Sequence, residues 1–178
     1  MTPSAVLLRG FEILKRLPDR PVVGAEIGVW RGYLSHTLLT KTDLVLFMVD
    51  SWLGIEGFGE KYSPKVQIEC KEATVANTAW AGRRAQIIHL SSEDAAKTMR
   101  DAVLDFVFID ADHSYNGCKT DIEYWLPKIK KGGLIGGHDY NNPNYDFGKE
   151  VKRAVDEAVE KNGWTLDLGK NKCWFVHL

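Results

Sequence analysis

The chain has few cysteines, no long apolar run and almost no net charge. Its three cysteines, Cys70, Cys118 and Cys173, are odd in number, widely spaced and never form a Cys-x-x-Cys pair. They read as reduced and mostly buried thiols, which fits a cytoplasmic protein. No apolar stretch approaches the ~20 residues of a membrane span, and the amino-terminal residues lack the apolar core of a signal peptide. A formal charge of −1 argues against nucleic acid or a membrane surface as partner. Repeats and low-complexity segments are absent. At 178 residues, the sequence reads as one domain spanning 1–178. That is enough to bury roughly 70% of the surface of the unfolded chain.

Five apolar runs have strand length: Val22–Ile27, Leu44–Val49, Ala85–Leu90, Leu104–Ile109 and Gly133–Gly137. Several are apolar on both alternate faces, as in parallel sheets covered on both sides. Helical stripes separate them. Ser63-Pro64 reads as a cap followed by proline at the first helical position, with Val66, Cys70, Ala73 and Trp80 recurring on one face. Cys118, Ile122, Trp125 and Ile129 make a second stripe. Val151, Ala154, Val155 and Ala158 make a third, closed by Gly163. Thr2-Pro3 is expected to start a helix facing inward with Leu7, Phe11 and Leu14. Trp164–Leu168, a turn at Gly169 and Cys173–His177 read as an antiparallel hairpin.

The chemistry gathers at the ends of the strands. The first strand stops at Glu26-x-Gly28-x-x-x-Gly32, a tight turn into a helix that lets a ligand approach the backbone. The second ends in Asp50-Ser51-Trp52. Asp50, 22 positions beyond Gly28, stands where nucleotide-binding folds place the acid that accepts ribose hydroxyls. Ser51 and Trp52 join it as candidate cofactor contacts. Ser91-Ser92-Glu93-Asp94 follows the third strand and also reads as a helix cap with acids in its first turn. The fourth strand delivers Asp110, Asp112 and His113, and the fifth His138-Asp139-Tyr140.

The acid-x-Gly-x-x-x-Gly motif resembles the first motif of class I S-adenosylmethionine (SAM) methyltransferases. Five β-α units closed by a hairpin resemble their three-layer, doubly wound α/β sheet of seven strands, order 3-2-1-4-5-7-6. Ile109-Asp-Ala-Asp-His-Ser-Tyr115, followed by Gly132-Gly-x-Ile-x-Gly-His-Asp-Tyr140, closely resembles a bacterial group of small O-methyltransferases. Relatives of that group include metal-dependent sugar and macrolide O-methyltransferases and, more distantly, catechol O-methyltransferase.

The resemblance implies SAM as cofactor, with Glu26, Gly28, Gly32, Asp50, Ser51, Trp52, Ser92, Glu93 and Asp110 around it. In its strand order the fourth and fifth strands are neighbours, about 4.8 Å apart. Asp110 and Asp139 would then converge, and crowded carboxylates call for a cation, Mg²⁺ or Mn²⁺. Asp110 matches the first metal ligand of the family. His138 and Asp139 match the second pair, with histidine where relatives usually carry a carboxylate. Imidazole there favours Mn²⁺, Fe²⁺ or Zn²⁺ over Mg²⁺. His113 matches the catalytic base, where the catechol enzyme has lysine. The expected partner is a small-molecule hydroxyl acceptor (a sugar, polyketide or phenol). A homo-oligomer is left open.

Two other classes compete: a nicotinamide-dependent oxidoreductase and a non-catalytic cofactor-binding module. The glycine spacing and the lack of a Tyr-x-x-x-Lys pair disfavour the first. Intact Glu26, Gly28, Gly32, Asp50 and Asp110 disfavour the second. Asn142-Pro-Asn-Tyr145 is superficially like the motif of nucleic-acid amino-methylases, but it follows the fifth strand rather than the fourth. The segments Trp52–Tyr62 and Tyr140–Phe147 are the candidate substrate loops.

Overall fold

The structure is a computed structural model that describes residues 3–54 and 59–178, and the side chains of residues 6–54, 59–60 and 62–178. Thr2 and residues 55–58 of the expected substrate loop lie outside the described residues. Strands β1 (Val23–Ile27), β2 (Val45–Asp50), β3 (Ala85–His89), β4 (Leu104–Ile109) and β5 (Ile129–Gly137) run parallel. Strand β7 (Trp174–His177) lies antiparallel between β5 and the two-residue β6 (Asp167–Leu168). The order is 3-2-1-4-5-7-6, as expected.

Helices α1 (Pro3–Leu14), α2 (Tyr33–Lys41) and α3 (Pro64–Thr78) cover one face of the sheet. Helices α4 (Ser92–Thr98), α5 (Tyr115–Trp125) and α6 (Phe147–Asn162) cover the other. The alternation of β4 explains why both faces are apolar. Phe106 and Phe108 enter the core under α1–α3, while Val107 and Ile109 enter the core under α4–α6. Gly24 belongs to this packing, because a Cβ there would lie 1.9 Å from the Phe106 ring.

Three expectations need correction. Helix α1 turns Val6, Arg9 and Ile13 inward, whereas Leu7 and Phe11 are 41% and 47% exposed. Close approach to α2 fixes this rotation: a Cβ at Gly10 would lie 2.6 Å from Thr37 Cγ2. Helix α3 buries Gln67, Cys70, Thr74 and Thr78, and Trp80 is exposed. The helix ends at Thr78 (φ −120°, ψ −10°), and the 3₁₀ stretch that follows takes Trp80 off the helical register. The polar face has a use, since Thr74 Oγ1 donates to the Trp30 carbonyl at 2.9 Å. Ile129, expected on the α5 stripe, instead opens β5, whose pairing with β4 shifts register between Leu104 and Phe106.

Candidate active site at the carboxyl edge of the sheet

The parallel ladder continues one step past the strands. Gly28 N donates to Val49 O at 2.9 Å, Asp110 N to Ile27 O at 2.7 Å and His138 N to Ile109 O at 3.1 Å. These bonds set the ends of β1, β4 and β5 side by side, so residues far apart in sequence share one edge.

The turn after β1 is packed against its neighbours. Gly28 has φ +87°, and a Cβ there would lie 2.3 Å from the Asp110 carbonyl oxygen. The glycine is therefore required by the neighbouring β4 turn, a reason internal to the fold. Gly32, at φ 70° and ψ 18°, precedes α2 without capping it through a side chain. Asp50 Oδ2 accepts the backbone N–H of Val29 and of Trp30, at 2.9 and 2.8 Å, and its Oδ1 accepts that of Trp52 at 2.8 Å. Trp52 is buried, and its Nε1 donates to Trp30 O at 2.8 Å. Ser51 O lies 2.8 Å from His89 Nε2. Trp30, Trp52, Asp139 and Asn141 hold positive φ (53°, 40°, 61° and 49°) although none is glycine. Such strain persists where surrounding contacts over-determine the backbone, and it concentrates at ligand sites.

Glu26 is buried on β1 and accepts a short hydrogen bond from Ser35 Oγ. Burial pushes its carboxyl up to about 8 against the Ser35 bond, with the Asp110 charge adding to the rise. Ser92 and Glu93 have partners of their own. Ser92 Oγ donates to Asp121 and accepts Trp125 Nε1 at 2.9 Å. Glu93 pairs with Lys97 at 2.7 Å and accepts the Tyr124 hydroxyl at 2.7 Å.

The charged centre lies across β4 and β5. His113 Nε2 sits 3.2 Å from Asp110 Oδ1 and 2.9 Å from Asp139 Oδ2. His138 Nδ1 sits 3.1 Å from Asp139 Oδ2 and 3.7 Å from Asp110 Oδ1, yet neither of its buried ring nitrogens makes a hydrogen bond. Among the described residues, Asp110, His113 and Asp139 form the group that could hold a metal, with one ligand atom from each within 4.8 Å of the others. Burial opposes ionisation of Asp110, but the His113 hydrogen bond and the charges of Arg9, His138 and His113 hold its carboxyl below the usual range. Burial likewise opposes ionisation of Asp139, and the two imidazoles hold its carboxyl well below that range. Burial would lower His113, yet the two carboxylates overcome it and raise the imidazole to about 10. The centre is thus a network in which the two carboxylates favour the protonated form of His113.

Sequence reasoning missed two residues here. Arg9 of α1 is buried, and its Nη1 pairs with Asp110 Oδ2. Asn142 is buried, and its Nδ2 donates to Asp139 Oδ1. The i, i+3 spacing of Asp139 and Asn142 was a local signal. Arg9 offered none, because its partner is 101 positions away. An aromatic ladder also reaches the centre from the second substrate loop. Tyr145 stacks on Phe147 (4.7 Å, 9°), and Phe147 lies 4.7 Å from the His113 ring.

The sheet order is that of the Rossmann-like fold seen in solved methyltransferases, with the glycine turn and the strand-end acids at its carboxyl edge. Residues 25–140 match the model of a methyltransferase-domain family, Methyltransf_24, and the chain belongs to that family. A curated relative, the uncharacterized protein y4gI of Sinorhizobium fredii, is 28% identical over 105 residues, 57% of this chain and 11% of the relative. The chain therefore spans about a tenth of the length of that relative. Among solved structures, the fold matches the Podospora anserina methyltransferase PaMTH1 bound to S-adenosylhomocysteine (TM-score 0.69, 16% identity, 95% of this chain and 77% of that one). It also matches CalS11, a TDP-rhamnose 3'-O-methyltransferase (0.65, 16%, 96% and 77%). A third match is the O-methyltransferase NovP (0.62, 18%, 98% and 78%).

Proposed function

We propose that this chain methylates a hydroxyl group of a small molecule, with SAM as donor and a divalent cation at the Asp110–Asp139 pair. The convergence of Asp110, Asp139, His113 and His138 beside the Gly28 turn carries this reading. The structural relatives CalS11 and NovP, both described as O-methyltransferases, support it.

The residues fit a SAM molecule lying along the turns after β1 and β2. The first turn of α2 has no side-chain cap, so its N–H groups are free to meet a carboxylate. Asp50 Oδ1 accepts one backbone bond and has capacity left for a ribose hydroxyl. SAM supplies a methyl group on a positive sulfonium, already electrophilic. The protein's task is mainly to align an oxygen with that methyl.

The donor set at β4 and β5 fits a divalent cation as well. Asp110 Oδ1 and Asp139 Oδ2 offer hard oxygens, and the buried His138 offers a ring nitrogen with no hydrogen bond. A cation bound there would lower the pKa of an acceptor hydroxyl. His113, 26% exposed, would take the hydroxyl proton at Nε2. Without a cation, the two carboxylates favour a proton on that nitrogen. Once they are neutralised, the imidazole can stay neutral and act as base. SAM held at the Gly28 turn and Asp50 would supply the methyl group to the acceptor oxygen and leave as a neutral thioether, and His113 would hold the hydroxyl proton.

The test is calorimetry with SAM and its demethylated product. It is followed by methylation of a library of sugars, polyketides and phenols with SAM and Mn²⁺, read by mass spectrometry. Micromolar SAM binding with a mass gain of one methylene on a hydroxyl compound supports the proposal. Failure of both ligands to bind the folded protein at millimolar concentration overturns it.

A further inference from the structure

The two oxygens of the Asp110 carboxylate face different neighbours. Its Oδ1 faces His113 and His138, at 3.2 and 3.7 Å. Its Oδ2 is closed off by Arg9, which comes from α1 and is 2% exposed. Helix α1 lies outside the matched segment 25–140, so this contact is an addition to the part of the fold on which the family match rests.

A guanidinium cannot surrender its proton in a protein, so Arg9 is a permanent cation beside the candidate metal ligands. Its forked, planar head holds a carboxylate in a fixed orientation. Two effects follow. Asp110 can offer an incoming ion only Oδ1, which makes it a one-oxygen ligand. A second cation must also enter against a fixed positive charge in a poorly solvated centre, where repulsion is weakly screened. Without Arg9, two carboxylates and two imidazoles would form a strong trap for transition metals.

We infer that Arg9 is a positioning residue that holds Asp110 in one-oxygen geometry and lowers the affinity of the Asp110–Asp139 centre for divalent cations. The inference rests on the proposal that this centre holds such an ion. It also makes α1 part of the site: the helix that covers the sheet sets the charge of the centre.

The experiment is calorimetric titration of the full chain with Mn²⁺, without SAM or acceptor, for the wild type, Arg9→Met, Arg9→Gln and Arg9→Lys. Arg9→Met is expected to bind Mn²⁺ at least tenfold more tightly than the wild type, and Arg9→Lys to return most of the way to the wild-type value. Arg9→Gln keeps an N–H for Asp110 without the charge, and it carries the same expectation should Arg9→Met fail to fold. Wild-type binding with no tightening in the uncharged variants overturns the role of Arg9 and leaves the metal reading standing. No wild-type binding but binding by the uncharged variants supports the role of Arg9 and overturns the proposed metal site of the native protein. Absence of Mn²⁺ binding in every folded form overturns both.

Discussion

Asp50 accepts the backbone N–H of Trp30 at 2.8 Å, so the end of β2 holds the turn made by β1. The same carboxylate accepts Val29 N and Trp52 N, and Trp30 sits at φ 53° in a conformation that needs such support. The acid at this position thus shapes the turn after β1 with no ligand needed. Asp50→Ala is expected to destabilise the cofactor-free protein by about 1–3 kcal/mol, because three backbone donors lose their acceptor. Thermal unfolding without SAM checks this. An unchanged melting temperature, with SAM affinity reduced, would limit Asp50 to contacts with the cofactor.

The second prediction concerns Gly28. Its φ of +87° and the 2.3 Å approach to the Asp110 carbonyl leave no room for a methyl group. Gly28→Ala should cost about 1–3 kcal/mol of stability from backbone strain alone, and more from the clash. The displaced neighbour would be Asp110, so Mn²⁺ affinity should fall along with stability. Urea unfolding and Mn²⁺ titration of the same protein test both parts. A variant with unchanged stability that lacks only SAM binding would show that the glycine makes space for the cofactor instead.

The sheet was legible because its strands are apolar on both faces and bounded by glycine turns. Phe106, Val107, Phe108 and Ile109 each face a core, and the sequence states as much. The edge residues Asp50, Asp110 and Asp139 were legible because each follows such a run within two positions. The rotation of α1 was not. Val6, Leu7, Leu8, Phe11, Ile13 and Leu14 spread apolar groups around more than one side of the helix. The inward side was chosen by Gly10 against Thr37 and by Arg9 against Asp110. Both are tertiary contacts with no periodicity to announce them. Trp80 misled for a related reason: its helical spacing continues past the true end of α3, and the backbone at Thr78 breaks the register.

The third prediction is a pH dependence. Asp121 of α5 is buried, its Oδ2 has no hydrogen-bond partner, and its other oxygen accepts Ser92 Oγ. Burial raises its carboxyl from 3.8 to about 6 against the Ser92 bond, with the charge of Asp112 adding to the rise and that of His113 opposing it. A carboxyl with a raised folded value favours the folded state most when protonated. That contribution is present below about pH 4 and is lost as pH climbs through about 6. The interval from 3.8 to about 6 corresponds to about 3 kcal/mol at most. Asp121→Asn should therefore raise stability by about 1–3 kcal/mol at pH 8 and by almost nothing at pH 4. Melting temperatures at the two pH values decide it. An equal effect at both would mean that ionisation of Asp121 contributes nothing.

The last prediction separates the two histidines. His138 is 10% exposed with both nitrogens free of hydrogen bonds, whereas His113 is 26% exposed and lies against the Phe147–Tyr145 ladder. If His138 is the nitrogen ligand, His138→Ala should weaken Mn²⁺ binding by about tenfold or more, as loss of a metal contact does. If His113 is the base, His113→Ala should lower methyl transfer by about 10²–10⁴-fold while SAM affinity changes by less than about threefold. Measuring the rate and the two affinities on both variants gives four distinguishable patterns. A His113→Ala protein that loses Mn²⁺ while His138→Ala retains it would exchange the roles. His113 would then be the third ligand, in keeping with its place within 3.2 Å of both carboxylates. Near-wild-type turnover in His113→Ala would remove it from the chemistry altogether and leave proton removal to the solvent or to His138.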